Sequence, residues 1–364
     1  MRKPVDMTKF ATTVAKKLNV SHGFNDPTQW VSTGNYLLDY LISGKFKDGG
    51  IPLGKVTMFA GESGSGKSLI ASGKIIKNAQ DMGVTPVIFD SENALDEEWL
   101  QKIGVKTDPQ SILRFQVSMI NDVAKIMNDF IEMYRKEYID LPKEERKMFL
   151  FVVDSLGMLL SDTDIDQFSK GDMKGDMGRK PKQLNSLVRN IINQIGDLDI
   201  GVIFTNHTYA SQDMFDPDDK VSGGNGIIYA SSIVVATRKY KLKLDELGNK
   251  ITDVSGVRTT AKIMKSRYGR PFETCNLHIR FDKGIMPYSG CLDYFEKVGV
   301  IQQSGNKLVY IDRAGNEHKE YRKNFGPEIL QRIIDEWDYE KYRLISDQRD
   351  LENNDQEQDQ EVSE

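Results

Sequence analysis

Eight consecutive residues, 61–68, have the types and spacing needed to hold a phosphorylated ligand. They read GESGSGKS and fit the pattern G-x-x-x-x-G-K-[ST]. Glycines with this spacing let backbone N–H groups converge on phosphate oxygens, and the N-terminus of a following helix adds a favourable dipole. Lys67 would reach the β- and γ-phosphates, and the Ser68 hydroxyl would bind Mg²⁺. The motif predicts a nucleoside triphosphate site, the alternative being an ordinary glycine-rich turn.

Polar side chains at the ends of three apolar runs could complete this chemistry. Asp154 ends the run FVVD, where its carboxylate could hold a water of the Mg²⁺ shell, although an acid there is also a common helix cap. Glu92 follows PVIFD and could polarise an attacking water, if the strands that carry it and the phosphate loop are neighbours. Asn206 and His207 follow GVIFT, where a polar side chain can touch a γ-phosphate. A surface acid and a packed core histidine are the alternatives for Glu92 and His207.

Apolar runs alternate with helical patterns, and this order predicts the elements that must position these side chains. Buried strands are predicted at 56–60, 86–90, 149–154, 201–205 and 232–237, and helices from Ser68 onward, at 117–138 and at 183–196. Continuous apolar strands separated by helices are typical of a mostly parallel sheet covered by helices, so the predicted fold class is α/β. Beyond about residue 240, alternating segments such as TTAKIMK and NLHIRF predict an antiparallel extension, and a helical pattern runs over 325–345.

Two long polar segments, 161–182 and 208–226, interrupt this alternation. Neither has hydrophobic periodicity, so both are predicted to be loops without secondary structure. Long loops in compact domains are usually functional or disordered. Each follows the carboxyl end of an apolar strand, where open α/β sheets bind their ligands. Both segments are therefore candidate ligand-binding loops.

The charge is unevenly distributed along the 364 residues. The net charge is −5, of which residues 347–364, with eight acids and one base, contribute −7, so the rest of the chain carries +2. Such a composition predicts a globular body with a disordered acidic tail. The tail could act as a solubilising appendage or as a tethered competitor for a basic surface.

The composition excludes several classes of protein. With 39% hydrophobic residues the chain can build a sizeable core, which excludes a wholly disordered protein. No apolar run approaches the roughly 18–20 residues that span a bilayer, and the first twenty residues contain no apolar signal-peptide stretch. Cys275 and Cys291 are too few for a disulfide framework, and the four histidines are scattered, so a His/Cys metal site is not expected. A cytoplasmic protein without membrane contact is predicted.

With these residues in place, the chain resembles the RecA-family recombinases, and most closely the UvsX type of tailed phages. Over residues 30–300 the motifs follow in family order: GESGSGKS, FDSENALDEEW, FVVDS, TNHTY, SGGNG, KIMKSRYGRPF and FDKGIMPYSG. The resemblance implies a RecA-like phosphate-loop ATPase core over 30–300, with a mostly parallel central sheet and an antiparallel extension. Around this core we expect an N-terminal helical arm, a small C-terminal region and the disordered acidic tail, which occupy 1–29, 301–345 and 346–364.

The resemblance also implies roles for individual residues of the nucleotide site. Glu92 would be the catalytic carboxylate, His207 would take the γ-phosphate sensor position that is Gln in bacterial members, and Lys265 and Arg267 would act on the nucleotide of a neighbouring protomer. Asp96 would contact adenine and Trp99 would stack on it. The metal ligands would be Ser68 and Asp154. The phosphate-loop residues expected to bind the cofactor are Gly61, Glu62, Ser63, Gly64, Ser65, Gly66, Lys67, Ser68 and Leu69.

The two polar loops would be the DNA-binding loops of the family. There, apolar side chains insert between triplets of nucleobases, while backbone N–H groups and basic side chains hold the phosphates. This mode suits sequence-independent binding. The second loop contains four aspartates, so the basic side chains of the first loop are the better candidates for attracting DNA phosphates. The residues expected to bind DNA are Met177, Gly178, Arg179, Lys180, Lys182, Met214, Phe215, Lys220, Gly223 and Gly224.

The function implied is a DNA-dependent ATPase that uses ATP and Mg²⁺, polymerises on single-stranded DNA and exchanges strands with a homologous duplex in recombination, repair and recombination-dependent replication. Its expected partners are both DNA forms, further copies of itself, a single-strand-binding protein and a loading mediator, in the host cytoplasm if the protein is phage-encoded. Two alternatives are a hexameric helicase-type motor on the same core and a nucleotide-binding switch that regulates other proteins. A motor usually carries a separate N-terminal domain, whereas here the phosphate loop begins at residue 61.

Overall fold

The computed structural model describes residues 6–18, 25–171, 178–209, 220–243 and 253–337. Its α-helices are α1 (Met7–Leu18), α2 (Tyr36–Ser43), α3 (Lys67–Leu69), α4 (Ile75–Asp81), α5 (Glu97–Lys102), α6 (Ile120–Tyr138), α7 (Asp162–Ser169), α8 (Arg179–Ile195), α9 (Asn225–Ala230), α10 (Cys291–Lys297) and α11 (Pro327–Asp335). A π-helical turn, Ile70–Lys74, joins α3 to α4. Short 3₁₀ turns lie at Lys143–Glu145, Leu156–Met158 and Arg322–Asn324.

The strands assemble mainly into one large sheet. They are β1 (Trp30–Val31), β2 (Ile51–Pro52), β3 (Val56–Gly61), β4 (Val84–Asp90), β5 (Leu113–Gln116), β6 (Met148–Asp154), β7 (Ile200–Tyr209), β8 (Lys220–Val221), β9 (Ile233–Leu242), β10 (Gly256–Lys265), β11 (Thr274–Arg280), β12 (Gly284–Ile285), β13 (Gln302–Ser304), β14 (Lys307–Ile311) and β15 (Glu317–Tyr321). The large sheet has the order β12-β11-β10-β9-β3-β7-β6-β4-β5, and β8 pairs with β7. From β9 to β5 it is parallel, and from β9 to β12 it is antiparallel, which confirms the α/β prediction.

Both faces of the parallel strands are buried, as the continuous apolar runs predict. All six residues of β3 are buried, and its successive residues Met58 and Phe59 point into two different hydrophobic clusters. The cluster that contains Phe59 includes side chains of α2 and α4, and the cluster that contains Met58 includes side chains of α6 and α8. The sheet is therefore clamped between helices, which fixes the carboxyl ends of its strands relative to one another.

The two polar segments contain more secondary structure than the sequence predicts. The first begins with α7, where Ser161 and Asp164 form a capping box, and it ends inside α8, which begins at Arg179 rather than at 183. Helix α7 was missed because its apolar residues, Ile165 and Phe168, are exposed and do not form a buried stripe. In the second segment, β7 continues to Tyr209, β8 pairs antiparallel with it, and α9 begins at 225. Residues 172–177 and 210–219 lie outside the described residues.

Two further boundaries differ from the sequence prediction. Helix α6 begins at Ile120 rather than at 117, because Met119 before it has an extended backbone. The helical pattern at 325–345 corresponds to α11, which ends at Asp335, and the pattern beyond residue 337 lies outside the described residues. A three-stranded antiparallel sheet, β13-β14-β15, precedes α11 and was not predicted.

None of the helices in the described ranges is long and apolar enough to cross a membrane.

Candidate functional site

The phosphate loop lies between β3 and α3, at the carboxyl end of the parallel sheet. Gly64 and Gly66 have φ values of +71° and +92°, in the left-handed region that favours glycine. Gly61 faces another strand so closely that a Cβ added to it would lie 2.2 Å from the Thr237 Oγ1. The glycines of the motif are therefore required for the turn and for the approach of the loop to β9. Leu69, at the end of α3, packs against the core.

Two threonines hold the loop to the sheet. The Thr237 hydroxyl lies 2.8 Å from the Ser65 Oγ and donates to the Ala60 carbonyl at 3.2 Å. From the next strand, the Thr259 hydroxyl donates to the Ser65 carbonyl at 2.8 Å. Ser65 is buried, so its side chain serves to anchor the loop rather than to face a ligand. Sequence analysis missed both threonines, because they lie far from the motif along the chain.

Lys67 is the central cation of the loop. Its ammonium donates to the Gly61 carbonyl at 2.9 Å and to the Glu62 carbonyl at 2.8 Å. Burial lowers the pKa of Lys67, and the negative charges of Asp154 and Glu92 oppose that shift. Backbone carbonyl oxygens of the loop thus hold the Lys67 amine. When a triphosphate binds, phosphate oxygens, which carry more charge, can replace these carbonyls as its hydrogen-bond acceptors.

A second cation, Lys239, contacts the same loop and was missed by sequence analysis. Its ammonium donates to the Ser63 carbonyl at 2.6 Å, and its backbone N–H donates to the Glu62 Oε1 at 3.3 Å. The charge of Lys239 also helps to lower the pKa of Lys67. Two positive groups therefore contact the phosphate loop, Lys67 from a buried position and Lys239 from the exposed side.

The residues expected to hold Mg²⁺ are adjacent. The Ser68 hydroxyl hydrogen-bonds to the Asp154 carboxylate, whose pKa is raised by burial. The Thr205 hydroxyl donates to the Asp154 Oδ1, and the Ser72 hydroxyl donates to its Oδ2 at 3.4 Å. These hard oxygen atoms fit Mg²⁺. Within the described ranges no group of three or more His, Cys, Asp or Glu side chains could hold a metal ion.

Glu92 and His207 meet beside this cluster. The His207 Nε2 lies 3.0 Å from the Glu92 Oε1, and both side chains are about one-third exposed. Strand β4, which precedes Glu92, is not a neighbour of β3, because β7 and β6 lie between them. The condition that β3 and β4 are neighbouring strands is therefore not met. The sheet still brings the groups together, since Gly61 pairs in register with His207 on β7, and Glu92 contributes to the field at Lys67.

The residues expected at adenine lie at the start of α5. Asp96 caps this helix by accepting the backbone N–H of Trp99 at 2.8 Å, and the Trp99 Nε1 donates to the Phe281 carbonyl at 3.2 Å. The indole lies against Gly73 of the π-helical turn, where an added Cβ would be 2.8 Å from its Cη2. Phe281, which sequence analysis missed, is exposed and contacts the indole through its backbone carbonyl.

The two cations expected to act on a neighbouring protomer lie at the end of β10 and just beyond it. Lys265 is the last residue of β10, after a break in register, whereas Arg267 lies beyond the strand and is exposed. The two side chains are therefore not placed by a single strand. The Lys265 ammonium donates to the carbonyls of Tyr229 at 2.6 Å and Ile228 at 3.3 Å, near the end of α9. Burial and the charge of Arg267 lower the pKa of Lys265.

The residues expected to bind DNA lie at two helix starts. Gly178 is the N-cap of α8, and Arg179, Lys180 and Lys182 follow in its first turn. Gly223 and Gly224 precede α9 with φ values of +85° and +84°. Of the other candidates, Met177, Met214 and Phe215 lie outside the described residues, and Lys220 is described only by its backbone in β8.

Hydrogen bonds connect the end of β7 to the second loop. The Asn206 side-chain amide donates to the Ser222 carbonyl at 2.7 Å, and the Ser222 N–H donates to the His207 carbonyl at 2.9 Å. The Asn185 amide of α8 reaches the Gly223 carbonyl at 3.4 Å. The second loop is thus tied both to the residue that contacts Glu92 and to the helix that begins at the first loop.

Comparison with known proteins agrees with this geometry. Residues 9–286 match the RecA N-terminal domain family. Protein RecA of Mycobacteroides abscessus is 28% identical over 302 residues, which cover 82% of this chain and 79% of that protein. Protein RecA of Wolinella succinogenes is also 28% identical, over 81% of this chain and 77% of its own length. Protein RecA of an Arthrobacter species is 27% identical over 322 residues, or 85% and 83% of the two chains.

Proposed function

The chain belongs to the RecA family, and from that premise we propose that it is an ATP-dependent recombinase that polymerises on single-stranded DNA and exchanges strands with a homologous duplex. The observation that carries the proposal is the connection between the two candidate sites. His207 contacts Glu92 through its side chain and the second loop through its backbone carbonyl, so a change at a bound γ-phosphate has a short path to DNA-binding residues.

In the proposed site each residue has one task. Lys67 holds the β- and γ-phosphates, and Ser68 and Asp154 hold Mg²⁺ directly and through its water shell. When bound, the ion neutralises charge on the phosphates. Glu92 orients the attacking water and takes its proton, and His207 reports on the γ-phosphate through its contact with Glu92.

DNA would bind at the carboxyl end of the sheet, beside the starts of α8 and α9. The exposed basic side chains of Arg179 and Lys182 supply phosphate attraction, and the N–H groups at the start of α8 can donate hydrogen bonds to a phosphate oxygen. We further propose that the protein is of the UvsX type of tailed phages, that it works in the host cytoplasm in recombination, repair and recombination-dependent replication, and that a single-strand-binding protein and a loading mediator assist it.

Electron microscopy with single-stranded DNA, Mg²⁺ and ATP tests this proposal. Helical filaments that require DNA and nucleotide are expected. Closed rings would favour a helicase-type motor. A nucleotide-binding switch would instead form no filaments, and DNA would not stimulate its ATP hydrolysis.

Replacing Trp99 tests the adenine site. Trp99→Ala should weaken nucleotide affinity by about 1–2 kcal/mol, because one aromatic stacking partner is lost. Trp99→Phe keeps a stacking ring and should retain most of the affinity, which makes it the matched control. Titration with a fluorescent ATP analogue measures both variants, and thermal unfolding reports any loss of the packing against Gly73. Equal affinity of the wild-type and Ala proteins would assign Trp99 to the core alone.

A mixing experiment tests the proposed role of Lys265 and Arg267 in a neighbouring protomer's site. In a head-to-tail filament the interface is heterologous, so bases of one protomer can face the nucleotide of the next. A variant with both residues changed to Ala and a separate Glu92→Gln variant should each hydrolyse ATP poorly. At equal mixing, about one quarter of the interfaces would join an intact Glu92 to intact cations, and hydrolysis should partly recover.

Two controls accompany the mixture. Co-sedimentation of differently tagged variants establishes that they share filaments. Arg267→Ala alone, at an exposed position, tests the role without disturbing the contact of Lys265 with α9. Shared filaments with no recovery at any ratio would refute the cross-protomer role.

A further inference from the structure

Ser155 lies between the proposed metal ligand and the proposed catalytic carboxylate. It follows Asp154 at the end of β6, and its side chain is fully buried. Its hydroxyl donates to the Glu92 Oε1 at 2.6 Å, a length typical of a hydrogen bond to a charged carboxylate. No part of the phosphate-binding motif includes this residue.

The backbone of Ser155 is itself held in place. The Ser91 hydroxyl donates to the Ser155 carbonyl at 2.7 Å, and the Ser91 N–H donates to the Asp154 carbonyl at 2.9 Å. Both residues directly follow neighbouring strands, whose last residues, Asp90 and Asp154, pair in register. The donor to Glu92 is therefore anchored at the carboxyl end of the sheet, by hydrogen bonds to the residue that follows the adjacent strand.

The two hydrogen bonds to Glu92 reach the same oxygen. Ser155 and His207 both contact Oε1, and within the described part of the chain no hydrogen bond is made to Oε2. A glutamate side chain otherwise rotates among several rotamers, and fixing it costs conformational entropy. Two contacts to Oε1 restrict the rotation of the carboxylate and leave Oε2 of this partly exposed side chain available to orient a water.

We propose that Ser155 is a positioning residue for the hydrolytic reaction, which holds Glu92 in the orientation that activates water. The inference rests on the proposed role of Glu92 as the catalytic carboxylate. His207 contacts the same oxygen but is tied to the second loop, so it can move with DNA binding. The hydrogen bond from Ser155 to Glu92 stays fixed, and the contact between His207 and Glu92 is the one that changes.

The test is steady-state ATP hydrolysis by the full chain on saturating single-stranded DNA. Ser155→Ala should lower kcat by roughly 10- to 100-fold, the effect of a misplaced catalytic group, while KM for ATP changes less than about twofold. Ser155→Cys leaves no cavity and replaces the hydroxyl with a slightly larger, weak donor, so it should show a similar loss and covers the case in which the Ala variant folds poorly. Ser43→Ala removes a buried hydroxyl that donates to the Asp39 carbonyl within α2 and does not touch Glu92, so it is the matched control, with less than about threefold loss expected.

A double variant separates positioning from general structure. In the Glu92→Gln background, Ser155→Ala should change the residual single-turnover rate by less than about twofold, because the group that it orients is already disabled. An unchanged kcat in Ser155→Ala, the same loss in both backgrounds, or an equal loss in Ser43→Ala would each overturn the inference. Near-normal turnover of Glu92→Gln alone would instead refute the proposed role of Glu92.

Discussion

Lys67→Ala should reduce ATP hydrolysis at least about 100-fold and abolish nucleotide-dependent binding to DNA, because the phosphates lose their central cation. The amine of the buried Lys67 is held by the Gly61 and Glu62 carbonyls, so no flexible surface lysine can replace it. Lys239 contacts the same loop from its exposed side and is expected to retain only weak phosphate attraction. ATPase assays and filter binding of labelled single strands with and without ATP measure both effects.

Lys102→Ala is the matched control for this variant. Lys102 is an exposed lysine on α5 that pairs with Glu98, and it lies outside the phosphate loop. Its loss should leave hydrolysis within about twofold of the wild-type protein, since exposed ion pairs contribute little. Turnover of the Lys67 variant comparable to that of this control would remove Lys67 from the mechanism.

Glu92→Gln should lower hydrolysis by about 100-fold or more while nucleotide binding and filament formation persist. The substitution keeps the shape of the side chain and an oxygen that can accept from Ser155, but it removes the group that takes the proton of the attacking water. Filaments on DNA should therefore become longer-lived, because ATP is no longer consumed. Single-turnover hydrolysis, fluorescent nucleotide binding and electron microscopy separate these properties.

Glu98→Gln offers the same chemical change at an exposed position of α5 and should behave as wild type. If Glu92→Gln loses nucleotide binding and hydrolysis to the same extent, the carboxylate acts in binding rather than as a base. If filaments of Glu92→Gln dissociate when ATP is added, the role of Glu92 as the base would likewise be contradicted.

Local patterns were sufficient to predict the centre of the fold. The apolar runs that became β3, β4, β6, β7 and β9 are long and buried on both faces, so periodicity and composition identify them. The glycine spacing of the phosphate loop likewise predicts its turn, since only a few backbone conformations suit Gly64 and Gly66. Asp154 was found because strand ends in a parallel sheet meet at one edge.

Contacts between distant parts of the chain could not be predicted from such patterns. Lys239 reaches the phosphate loop across 176 positions, and nothing in the sequence around it indicates that contact. Ser155 is an ordinary small residue whose importance arises only when β4 and β6 align their ends. The direction of Lys265 depends on a register shift in β10, which no strand periodicity specifies.

Short polar elements were missed for a different reason. Helix α7 is stabilised at its start by the Ser161–Asp164 capping box and leaves Ile165 and Phe168 exposed, so it has no buried stripe that periodicity could detect. The capping box is visible in the sequence as a serine followed three positions later by an acid. That signal divides the first polar segment into a helix and a shorter loop.

Strand exchange itself tests the central claim most directly. A single strand is coated with the protein in the presence of Mg²⁺ and ATP, and a fluorescently labelled duplex is then added. We expect the homologous duplex to lose its identical strand, a heterologous duplex to remain intact, and the reaction to fail in Lys67→Ala. Filaments that hydrolyse ATP but leave the homologous duplex unchanged would contradict the account.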